Sequence, residues 1–166
     1  MIVNAAMTAA DFALELSRAG IALALALWIG GTLLAAVAAA KIFRALPSRD
    51  LAGRLFGEIL GVLDKAKFVA AGALLVGVLL EVQVLGSTLA PRRIARDALL
   101  FLLVASHVYA VMVVQPRMRY YREKVADFDA VDQSDPWRRK FQVQHRRSTR
   151  VAVLGLVLAV GAVLLG

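Results

Sequence analysis

The stretch AGIALALALWIGGTLLAAVAAA, residues 19–40, carries no charged side chain and runs directly into KIFRALPSRD, residues 41–50. A hydrocarbon core about 30 Å thick is crossed by about 20 helical residues, so the first stretch is long enough to span a membrane and the second marks its boundary. The alternation repeats along the chain. Apolar runs cover 68–90 and 98–115, and a last run reaches spanning length when it is taken as 149–166. The chain has 166 residues and is 60% hydrophobic, with mean hydropathy +0.71. An ordinary soluble domain is only about 45–50% apolar. The reading is an all-α integral membrane four-helix bundle, one domain over 1–166, with an interfacial amphipathic helix after the first span.

Charge sets the expected orientation. Of twenty Lys and Arg residues, six lie in 41–67 and ten in 116–150, leaving Arg18, Arg92, Arg93 and Arg96 elsewhere. Cations gather on the cytoplasmic side of membrane proteins. The loops 41–67 and 116–148 are therefore expected in the cytoplasm, with both termini on the far side of an inner membrane. A net charge of +8 would point to nucleic acid in a soluble protein. Here the cations flank membrane boundaries, so the expected partners are the bilayer and its anionic lipid headgroups, and no nucleic acid. The chain has no cysteine, which excludes disulfides and thiolate metal sites. Ala38, Ala39 and Ala40 resemble a signal-peptide cleavage site, but the apolar run is too long and Asp11 and Glu15 stand where a basic segment would be.

Between the first two runs, Ser48 is placed to cap a helix over 48–64. Leu51, Leu55, Phe56, Ile59, Leu60 and Leu63 recur at helical spacing, while Arg49, Asp50, Arg54, Glu58 and Asp64 fall mostly elsewhere around it. That pattern predicts a helix lying in the cytoplasmic interface. Pro116 marks the exit from the third run. Residues 117–131 are read as helical, and Ser134, Asp135 and Pro136 start a further helix that continues into the last run.

Polar residues inside apolar runs are candidates for function, because a lone buried charge is costly. Glu81 and Gln83 lie near the outer end of the second run, where Glu81 is expected either to snorkel to water or to pair with Arg92 or Arg93. His107 lies near the middle of the third, at about the depth of Gly30 and Gly31 by helical rise, so it is expected to occupy the space those glycines leave. Trp28, Gly30 and Gly31 are read as a packing face. Arg44, Arg117, His145 and Ser148 come from different segments at one expected depth, a set suited to an anion or lipid phosphate. No metal site is expected: His107 and His145 sit at depths that cannot close on one ion. No cofactor is predicted, with haem at His107 as an alternative.

Several of these residues also carry a resemblance. IFRALPSR at 42–49, QPR at 115–117, and Phe141, His145 and Ser148 after Asp135-Pro136 resemble the transmembrane protein 205-like family, as does Trp28 followed by glycine in the first span. Bacterial members carry a domain-of-unknown-function label. Arg146-Arg147 departs from the glycine and apolar residue usual after the histidine. The resemblance implies a four-span membrane protein, linked in eukaryotic members to drug resistance and trafficking, with no established reaction. The expected function is binding or transport of a small solute or ion by a homo-oligomer. The alternatives are a non-transporting scaffold that binds acidic lipid or a partner protein, and a haem-binding or enzymatic membrane protein.

Overall fold

The computed structural model describes residues 8–86, 90–125 and 127–166. Helix α1, Ala9–Ala45, starts at a reciprocal cap. The Thr8 hydroxyl accepts from the Asp11 amide at 3.1 Å, and the Asp11 carboxylate accepts from the Thr8 amide at 3.1 Å. The helix stops where Leu46 turns extended, the conformation favoured before a proline. Ser48 then caps α2, Arg49–Leu85, by accepting from the Leu51 amide. Gly86 closes α2 at φ 69°, a backbone region that side chains disfavour. Helix α3, Pro91–Tyr109, runs through a π turn, Ala110–Val114, into α4, Gln115–Glu123. Helix α5, Pro136–Leu165, begins at Asp135, whose carboxylate accepts from the Trp137 and Arg138 amides.

The fold is all-helical, with four helical segments long and apolar enough to cross a membrane. Helix α1 pairs with α2, and α3 pairs with α5. Ile21, Ala24, Leu25 and Trp28 meet Ala70, Ala71 and Leu74, and this face closes on Leu100, Leu103, Leu158, Ala159 and Ala162. Five of these twelve residues are alanine, which lets helices approach closely where lipid supplies no hydrophobic drive between them. Leu23, Leu34, Val69, Phe101, Met112 and Leu164 point outward and largely exposed. That apolar exterior fits lipid.

Two expectations are corrected here. The segment 48–64 is helical, but it is not a separate helix: it is the first half of α2, which continues unbroken to Leu85. A helix of 37 residues is about 55 Å long, so α1 and α2 both project beyond a hydrocarbon core of about 30 Å. Part of the apolar side of 48–64 meets α1, with Phe43 against Phe56 at 6.4 Å between ring centroids and Leu63 beside Gly31, while Leu51, Leu55 and Ile59 are exposed. In the third loop, helical structure continues from the π turn through Pro116 as α4, which ends at Glu123 rather than near residue 131. The expected span 68–90 ends partly on 87–89, which lie outside the described residues.

At the end holding the α1–α2 turn, the connection before α5 is tied to α2. Asp129 accepts from the Ser48 hydroxyl at 2.7 Å and the Arg49 amide at 2.9 Å, contacts that hold its carboxyl below the usual carboxylate range. Arg122 donates to the carbonyl and carboxylate of Asp50 at 2.8 and 2.9 Å.

Candidate functional site

The middle of the bundle holds a polar cluster. Lys67, at the midpoint of α2, is buried opposite Thr32 and donates to its hydroxyl at 3.0 Å. Thr32 in turn donates to the Trp28 carbonyl at 2.7 Å. One turn earlier on α2, Asp64 accepts from the Gln115 side-chain amide at 2.6 Å and lies 3.9 Å from His107 Nδ1. His107 is 7% exposed. Its ring packs between Trp28 at 5.2 Å and Phe68 at 5.0 Å, and its Nε2 is buried without a hydrogen-bond partner. A cavity of about 90 Å³ opens among these groups, lined also by Ser106, Ser148 and Gly155.

The backbone explains how Gln115 reaches this cluster. Pro116 has no amide hydrogen to donate and its ring crowds the carbonyl four residues back, so a regular helix is broken there. The chain adopts a π turn over Ala110–Val114, with the Gln115 amide bonded to the Ala110 carbonyl. Such widened turns recur at functional sites because they re-aim side chains. Here the turn lies between His107 and Gln115, both of which face Asp64.

The residues singled out from sequence are redistributed. Glu81 is 3% exposed and is a structural ion-pair centre. It accepts from Arg96, which also binds Asp97, and lies 3.8 Å from Arg93. Arg92, an expected partner, instead donates to the Leu164 and Leu165 carbonyls at the end of α5. Gln83 is exposed. Trp28 is packed as expected, but His107 does not fill the space at Gly30 and Gly31. Gly30 faces open space and Gly31 faces Leu63, because the helix turns both away from α3. The anion set does not assemble. Arg44, Arg117 and His145 are exposed on three different helices, and among the described residues no hydrogen bond or ion pair joins them. His145 stacks on Phe141 of its own helix, while Ser148 lines the central cavity.

Asp64, Lys67, Thr32 and Gln115 were missed as a group, because Lys67 served as the edge of an apolar run and Asp64 was set apart from the apolar positions of 48–64. A signal was present. Leu60, Asp64, Lys67, Ala71, Leu74, Gly77 and Glu81 follow one another three or four apart, a single stripe running through the assumed boundary.

The fold and this cluster define a multi-pass membrane protein with ionisable groups inside its helical bundle. Residues 23–126, well over half of the chain, match the family described as a domain of unknown function, DUF4149, and the chain belongs to that family. No curated protein and no solved structure matches it.

Proposed function

We propose that the protein binds and moves a small ion across the inner membrane, working as a homo-oligomer with Asp64, Lys67, His107 and Gln115 as its binding site. The observation that carries this reading is the unpartnered Nε2 of buried His107 beside the polar cavity and Asp64. Ionisable groups at such depth are costly to retain for structure alone. A proton fits best. An imidazole with one free nitrogen takes up and releases a proton, and a cavity of about 90 Å³ leaves space for water-sized species rather than a large solute. A haem at His107 would need more room than that. The resemblance to transmembrane protein 205-like proteins supports a membrane role without naming a reaction. Exposed Gly72 and Ala73 are a small-residue face available to a second copy, whereas Gly155 and Ala159 are used inside the bundle.

The test is dissipation of an imposed pH gradient in proteoliposomes containing a pH-sensitive dye, with potassium and valinomycin to balance charge. Wild type is expected to collapse the gradient faster than empty liposomes, and His107→Ala to return the rate to the empty level while eluting normally from a sizing column. Equal rates for wild type and empty liposomes would remove the transport reading. The scaffold reading would then be preferred, since the exposed cations on α4 and the first half of α5 offer a basic face for acidic lipid.

The orientation is part of the same proposal. Lys67 is inside the bundle, which leaves fifteen of the sixteen cations of 41–67 and 116–150 to set the bias. Their end of the molecule is proposed to face the cytoplasm. In this cysteine-free chain, Ala90→Cys is expected to react with an impermeant thiol reagent applied from outside, and Asp132→Cys to be protected. The reverse labelling pattern would invert the topology.

A further inference from the structure

The end opposite the basic loops holds a second cavity, of about 550 Å³, which lies between the start of α1, the end of α2, the start of α3 and the end of α5. That volume falls within the roughly 300–1,000 Å³ of small-molecule sites. Its wall is split by chemistry. Leu14, Ile21 and Leu25 of α1 and Ala162 and Val163 of α5 make an apolar side, while Arg18, Arg92, Arg93 and Arg96, with Glu81 as the one carboxylate side chain in the lining, make a mainly cationic one. All four basic residues of this end of the chain thus line one cavity.

Three of those arginines have acceptors within the protein. Arg18 binds Glu15, Arg92 binds backbone oxygens of Leu164, Leu165 and Gly166, and Arg96 binds Glu81 and Asp97. Among the described residues, Arg93 has ion-pair partners but no hydrogen bond. Its Nε stands 3.8 Å from both Glu81 and Asp97, within ion-pair distance but too far for a hydrogen bond, and its Nε and Nη2 are buried without a hydrogen-bond partner. Buried guanidinium donors without an acceptor are exceptional in native proteins, and the acceptor that best fits planar N–H groups is an oxyanion. The start of α3 beside it has no side-chain cap. On the other side, exposed Ala22 and Val163 form part of the rim, which leaves a sideways route for an acyl chain from the bilayer.

We propose that this cavity is a binding site for an anionic phospholipid, with its phosphate on Arg93 and an acyl chain along the α1 and α5 wall. The site is separate from the His107 cluster and does not depend on the transport reading. An oxyanion at Arg93 supplies the hydrogen bond that Glu81 and Asp97, at ion-pair distance, do not make, and the apolar wall distinguishes a lipid from free phosphate.

Binding to the purified protein in a neutral detergent is measured by native mass spectrometry and thermal shift with three probes: dioctanoylphosphatidylglycerol, dioctanoylglycerol lacking the phosphate, and inorganic phosphate. The phospholipid is expected to bind at least about tenfold more tightly than either of the others, since each lacks one half of the recognition. Arg93→Gln is expected to weaken phospholipid binding by at least about tenfold, the scale of one charge-assisted hydrogen bond. Ala22→Phe, which obstructs the apolar side without touching any ion pair, is expected to weaken it while leaving the melting temperature of the lipid-free protein in place. The proposal is overturned if dioctanoylglycerol binds as tightly as the phospholipid, if inorganic phosphate does, or if Ala22→Phe and a folded Arg93→Gln both bind as wild type.

Discussion

Glu81→Leu is expected to destabilise the protein by about 3–5 kcal/mol, the range for removing one partner of a buried ion pair. Glu81 is 3% exposed, and its carboxylate stands between Arg96 and Arg93, whose side chains are only 12% and 11% exposed. Truncation would leave two guanidiniums with Asp97 as their one remaining carboxylate. Glu81→Gln should cost less, because the amide oxygen still accepts from Arg96. The double variant Glu81→Leu with Arg96→Leu should recover part of the loss, because deleting both members of a pair avoids a stranded charge. Thermal denaturation in detergent reads all three. If Glu81→Leu melts with the wild type, water reaches this cluster freely and the burial argument is wrong.

The outline of this fold was legible because membrane crossing is dictated by coarse physics. Uncharged runs such as 19–40 must be helical to satisfy their own backbone, and the caps at Ser48 and Asp135 are local chemistry that a sequence displays directly. For Glu81, of the two expected partners Arg93 lies at ion-pair distance and Arg92 bonds elsewhere, while the hydrogen bonds come from Arg96. The errors came where charge was taken as a boundary. Lys67 ended an apolar run on paper, yet its ammonium is held by Thr32 and lies 5.7 Å over the Trp28 ring, so α2 carries it at mid-bundle. Asp64 was set apart from the apolar positions of 48–64 for the same reason, although it lies one turn from Lys67 on the inward stripe. Depth counting also misled. It placed Arg44, Arg117, His145 and Ser148 at one level, but a shared level says nothing about direction around each helix, and only Ser148 turns inward. The π turn before Gln115 has no sequence signature beyond Pro116, and a proline there reads equally well as the end of a span.

Direction around the helix also decides the glycines, which makes substitution at Gly77 the most informative packing test. The α1 and α2 backbones are joined there: the Ser17 hydroxyl donates to the Gly77 carbonyl at 2.7 Å. A β-carbon at Gly77 would stand 2.7 Å from Ile21 Cγ1 and 3.4 Å from the Ser17 carbonyl oxygen. Ile21 has little freedom to move, because β-branching restricts it and Ala24 and Leu25 surround it in the core. Gly77→Leu is therefore expected to force the two helices apart and to cost at least the roughly 1–3 kcal/mol typical of overpacking, with the buried Ser17 bond lost as well. Gly31→Leu meets only the movable end of Leu63 and should cost less, while Gly30→Leu faces open space and should melt close to wild type. The order of melting temperatures in detergent is thus Gly30→Leu, then Gly31→Leu, then Gly77→Leu as the lowest. If Gly30→Leu were the most damaging of the three, α1 would present Gly30 rather than Ser17 and Ile21 to its neighbours, and the α1–α2 register that places Lys67 against Thr32 would be wrong with it.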